Sequence, residues 1–149
     1  MALQEQIDQE IKTAMLAKDN ARLRGLRAIK AAILLAKTEK GPAEALTAET
    51  EIKVLQKLAK QRRESAEIYE QQHRSDLYQI EMEELTVIES FLPKQLSQAE
   101  IEQAVRQIIA DTGASSMKDM GKVMAAANQQ LAGKADGKTV SAVVKALLG

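Results

Sequence analysis

A chain of 149 residues with 45% hydrophobic side chains has enough apolar surface for one domain or two small ones. Its formal net charge of +0 excludes a uniformly basic molecule that grips any polyanion, and the absence of cysteine excludes disulfides, thiolate nucleophiles and cysteine-ligated metal. Aromatic residues make up only 2%, while the strong helix formers alanine, leucine, glutamine, glutamate and lysine abound, so the composition predicts an all-α protein.

Leu3, Ile7, Ile11 and Met15 recur every fourth residue and predict an amphipathic helix ending near Lys18. Asp19 or Asn20 caps a second, with Leu23, Leu26, Ile29, Ile33 and Ala36 as its stripe. Gly41-Pro42 is expected to stop it, because proline disfavours helix in the residue before it. Thr47 then caps a long helix carrying Ile52, Leu55, Ala59, Ala66 and Tyr69. The pattern breaks around Gln72–Ser75, and a fourth helix follows with Tyr78, Met82, Leu85, Ile88 and Leu92. Two long helices joined by a short turn predict an antiparallel hairpin.

Pro93 marks the expected domain boundary, giving an N-terminal helical hairpin or bundle over 1–93 and a small three-helix C-terminal domain over 94–149. Ser97-Gln98-Ala99-Glu100 reads as a capping box, in which hydroxyl and carboxylate satisfy orphan N–H groups reciprocally. Ile101, Val105, Ile108 and Ile109 form the next stripe, closed by Gly113 in a left-handed cap. Ser115 or Ser116 starts a sixth helix (Met120, Val123, Met124, Ala127, Leu131) that Gly133 ends. Asp136 caps a seventh, carried by Val140, Val143, Val144 and Leu147.

No apolar run reaches the roughly 18 residues that span a bilayer, and the N-terminal MALQEQIDQEI carries acids where a signal peptide needs positive charge. A cytoplasmic protein without membrane contact is therefore expected. Catalysis needs a nucleophile with a base, a tuned acid–base pair or a metal. His73 is the only histidine, flanked by Glu70 and Asp76 but lacking a second imidazole to complete a metal site, so it reads as solvated. Ser115 and Ser116 read as caps rather than nucleophiles. No catalytic residue, metal or cofactor is expected.

Charge is uneven along this neutral chain. Arg22, Arg24, Arg27, Lys30, Lys37 and Lys40 face one acid, Glu39, whereas eight acids between Glu64 and Glu89 outnumber Arg74. The acidic run reads as a solvated face pairing locally with Lys and Arg, or as a docking surface for a protein. After Thr112 the chain is basic again. Lys118 and Lys122 sit one turn apart at the start of the sixth helix, where positive charge is poorly placed against the helix dipole. In Gly133-Lys134-Ala135-Asp136-Gly137-Lys138 the glycines and aspartate serve as helix punctuation, but the two lysines are not needed for it. Lys118, Lys122, Lys134 and Lys138 are therefore the candidate anion contacts. With no tryptophan and one phenylalanine, base stacking is not the expected mode, and any nucleic acid is expected to be read by backbone and shape.

The chain resembles the GatB/YqeY family through LRGLRAIKAAI at 23–33, KLAKQRRESAEIY at 57–69, FLPKQLS at 91–97, and GASSMKDMGKVM followed by GKADGK, in order along nearly its whole length. The resemblance implies an N-terminal hairpin-stem domain and a small C-terminal helical domain. It further implies a non-catalytic tRNA-binding module like the tail of the amidotransferase B subunit. Alternative roles are an accessory of glutamine-dependent amide transfer (carbon–nitrogen ligation) and a protein-interaction adaptor, with a partner in tRNA aminoacylation or transamidation.

Overall fold

Helix starts and stops in this chain are written in capping side chains, and a computed structural model, describing residues 2–40 and 46–149, shows where each acts. Seven α-helices and no strand occur among these residues, so the fold is all-α. They are α1 Leu3–Leu16, α2 Asn20–Lys40, α3 Ala48–Gln71, α4 Ser75–Glu89, α5 Gln98–Thr112, α6 Met120–Gln130 and α7 Gly137–Leu148. The Asp19 carboxylate accepts from the Arg22 N–H at 3.1 Å to open α2, and the Thr47 hydroxyl accepts from the Thr50 N–H at 3.1 Å to open α3. The stop expected at Gly41-Pro42 lies outside the described residues.

Helix ends are made by left-handed residues. Gly113 closes α5 at φ 70°, and His73 takes the same role after α3 at φ 58°. The N–H of His73 donates to the Glu70 carbonyl and that of Arg74 to the Tyr69 carbonyl, the paired bonds of a Schellman stop. Lys18 ends α1 in the same way, at φ 57°, with Asp19 N–H donating to Ala14. The lone histidine is therefore a helix terminator standing where glycine is usual.

The chain divides into two compact units, Met1–Leu92 and Pro93–Gly149. In the first, α2 is the hub, packing against α1, α3 and α4, while α3 and α4 form the most extensive pair. Its core joins Ile7, Leu26, Ile29, Leu55 and Ile88, each almost wholly buried. The every-fourth stripe on α1 does not hold to its end. A four-residue step advances 400° around a helix, so three steps carry Met15 about 120° away from Leu3. Met15 is exposed and Ala14 is buried in its place.

The α2–α4 crossing is tight because Gly25 has no side chain. A Cβ built there would lie 2.6 Å from the Cβ of Val87, an impossible contact with a branch point. In the second unit α5, α6 and α7 each pack against the other two around Val105, Ile108, Val123 and Val144.

Ion pairs of the first unit are mostly tertiary rather than local. Arg24 reaches Glu83 at 2.7 Å, Arg63 reaches Glu89 at 3.3 Å, and Arg62 lies 3.4 Å from Glu84 and 3.8 Å from Glu81. Burial pushes the Glu81 carboxyl above its ordinary range, with Arg62 opposing and Glu84 reinforcing that shift. Arg22 pairs with Glu10, Lys30 with Asp8, and Lys37 donates to the Gln4 amide oxygen. Most of the basic run on α2 and five of the eight acids between Glu64 and Glu89 are thus engaged within the unit.

Gly25→Ala is expected to lower stability by about 1–3 kcal/mol, because overpacking against Val87 outweighs the better helix propensity of alanine. A urea titration followed by helical circular dichroism measures it. His73→Gly should raise stability by about 1 kcal/mol in the same assay, since glycine adopts the left-handed stop without steric penalty.

Candidate nucleic-acid interface

The second unit is organised by α5. Ser97 and Glu100 form the anticipated capping box: the Ser97 hydroxyl accepts from the Glu100 N–H at 3.2 Å, and the Glu100 carboxylate accepts from the Ser97 N–H at 3.1 Å. That backbone hydrogen bond holds the Glu100 carboxyl below its usual range. At the other end, Lys122 donates from Nζ to the carbonyl of Thr112 at 3.0 Å. Thr112 is the last residue of α5, so the ammonium satisfies an orphan carbonyl at the negative end of that helix. The charge that looks misplaced at the start of α6 is well placed with respect to α5.

Lys118 differs from its sequence reading. It lies in a 3-10 turn, Met117–Asp119, that precedes α6, with the Ser116 hydroxyl accepting from its N–H at 3.3 Å. Asp119 accepts from the Ser115 N–H at 3.0 Å rather than capping α6. Asp136 is a further correction: it occupies the position before α7 but makes no capping hydrogen bond through its side chain. The turn there is held by other groups. Gly133, at φ 77°, gives its carbonyl to the Gln95 amide at 2.7 Å, and the Lys134 carbonyl accepts from the Leu96 N–H at 2.9 Å.

These bonds place the four lysines. Lys122 stands at the C-terminal end of α5, with Lys118 four residues before it in sequence. Lys134 stands just ahead of the N-terminal end. The 15 residues of α5 separate these ends by about 21 Å, so the lysines do not converge on one phosphate.

Lys138, in the first turn of α7, lines an open depression of about 410 Å³ between α5 and α7, together with Gln98, Glu102 and Arg106. Arg106 was not singled out in the sequence. In the structure Gln98 donates to Glu102 at 3.3 Å, and Arg106 makes no ion pair among the described residues.

Every ion pair between described residues lies in the first unit, and none lies in the second. Residues 93–149 carry seven bases against five acids. The exposed side chains of Lys118, Lys134, Lys138 and Arg106 thus have no hydrogen-bond or ion-pair partner among the described residues, whereas Lys122 is tied to the backbone.

The chain is all-helical, with a hub-and-hairpin first unit and a three-helix second unit, and comparison by sequence gives its family. The family model described as Yqey-like protein matches residues 4–148. The chain belongs to the YqeY-like family. No curated protein is matched. No helix among the described residues is long and apolar enough to cross a membrane.

Lys122→Ala should cost about 0.5 kcal/mol of stability through the lost carbonyl contact, whereas Lys138→Ala should leave stability unchanged. Thermal unfolding of the two variants beside the parent chain separates them.

Proposed function

We propose that the protein is a non-catalytic tRNA-binding module, acting in the cytoplasm, whose contacts are Lys118, Lys122, Lys134 and Lys138, joined by Arg106. The observation that carries this reading is the division of ion pairs: seven cations of the first unit are paired with acids, while those of the second have no ion-pair partner among the described residues. Ammonium groups at both ends of a 21 Å helix suit an extended polyanion better than a single phosphate. The near absence of aromatic residues argues for contact with a backbone rather than with unstacked bases. The relation of the YqeY domain to the tail of GatB supports the same ligand. Any amide-transfer chemistry belongs, in this reading, to a partner enzyme.

Filter binding of bulk tRNA across a salt series tests the proposal. Log affinity should fall against log salt with a slope of roughly −3 to −4, and Lys134→Glu with Lys138→Glu should reduce the magnitude of that slope by about two. No retention of tRNA at low salt overturns it.

A further inference from the structure

Building on the tRNA-binding reading, we infer that the depression between α5 and α7 recognises a ribose 2′-hydroxyl, with Glu102 as the acceptor that distinguishes RNA from DNA. The depression holds about 410 Å³. Gln98, Glu102 and Arg106 form its α5 wall, one turn apart in a row about 12 Å long. Hydrogen bonds from Gln95 and Leu96 to the carbonyls of Gly133 and Lys134 set the beginning of α7 beside the beginning of α5. Lys138, in the first turn of α7, therefore enters from the Gln98 end, and Arg106 stands one turn beyond Glu102.

A site for phosphate alone has no use for the acid. Glu102 is half-buried and shares the depression with two exposed cations, yet it forms an ion pair with neither among the described residues. Its Oε1 accepts from the Gln98 amide at 3.3 Å, and a carboxylate has further lone pairs to offer. A carboxylate repels a phosphate but accepts strongly from a hydroxyl. Arg106 and Lys138 are donors only and do the reverse. Cation, acceptor and cation match the phosphate, 2′-hydroxyl and phosphate that follow one another along a strand of RNA. DNA offers no donor there, so its phosphates would meet the carboxylate without compensation.

The floor suits a sugar as well. Ala142 and Ala146 are exposed one turn apart on α7, and side chains this short leave room for a ribose ring to approach. Double-helical RNA displays its 2′-hydroxyls in a wide, shallow minor groove, which an open helix–helix depression can meet. An exposed Glu102–Arg106 contact across one turn is weak enough for a phosphate to displace.

Filter binding of three copies of one tRNA stem-loop tests this: RNA, DNA, and RNA carrying 2′-O-methyl groups. The methylated copy keeps the RNA shape but lacks the hydroxyl donor. The full chain should hold RNA about tenfold more tightly than either other copy. Glu102→Ala should weaken RNA binding about fivefold without weakening DNA binding, since it removes an acceptor from one and a repulsion from the other. Glu102→Gln, which keeps an acceptor oxygen, should retain the preference for RNA. RNA and DNA affinities that rise together in Glu102→Ala assign the carboxylate to repulsion alone and overturn the inference. Equal binding of RNA and its methylated copy overturns it too, while leaving tRNA binding intact. A chain that retains no RNA at low salt overturns both.

Discussion

The approach of α2 to α4 at Gly25 is the constraint on which the first unit depends. Because the Val87 side chain occupies the space a Cβ would need, the α2 backbone comes close to α4 there. Close approach brings Leu26, Ile29 and Ile33 into one core with Leu85 and Ile88, and it allows Arg24 to reach Glu83. It also makes α2 the element that every other helix of the unit touches. A hub packed on three sides has one open flank, and Leu34 and Leu35 lie there. Tight packing on one face and an unpartnered apolar lip on another are therefore two results of the same placement.

Electrostatics divides the molecule more sharply than its net charge of +0 suggests. In the first unit, long-range ion pairs tie α1 to α2, α2 to α4 and α3 to α4. Most of these pairs are partly exposed, where each contributes little to stability, but together they neutralise the basic face of α2 and much of the acidic hairpin. The second unit has no such network among its residues. Apart from Lys122, which donates to the Thr112 carbonyl, its lysines make no side-chain hydrogen bond or ion pair among the described residues, and on the proposed reading they are the groups whose contact with phosphates would release counterions. The YqeY-like chain thus holds one unit crossed by ion pairs and one that has none.

Much of the fold was legible in the sequence because helix periodicity and caps are local. The Thr47 and Asp19 caps, the Ser97–Glu100 box and the Gly113 stop depend on residues within four positions of one another, and all form. Readings failed where a local rule was extended too far. A strict four-residue stripe placed Met15 in the core, although helical drift turns it out to solvent. Asp136 has the chemistry of a cap, yet the Gln95 and Leu96 hydrogen bonds at residues 133 and 134 secure that turn instead.

The candidate interface was legible only as a set of residue types. Local sequence determined which lysines stand at helix junctions and that no aromatic residue accompanies them. Which cations are free, and how far apart they lie, was decided by tertiary packing, because ion pairs and helix ends form between positions distant in the chain. Lys122 looked misplaced until Thr112 was found beside it, and Arg106, not singled out in the sequence, lies with Lys138 at one depression. From sequence alone came the helices, their caps and the family. The distribution of charge between the two units required the folded chain, since an electrostatic field depends on distances through space rather than along the backbone.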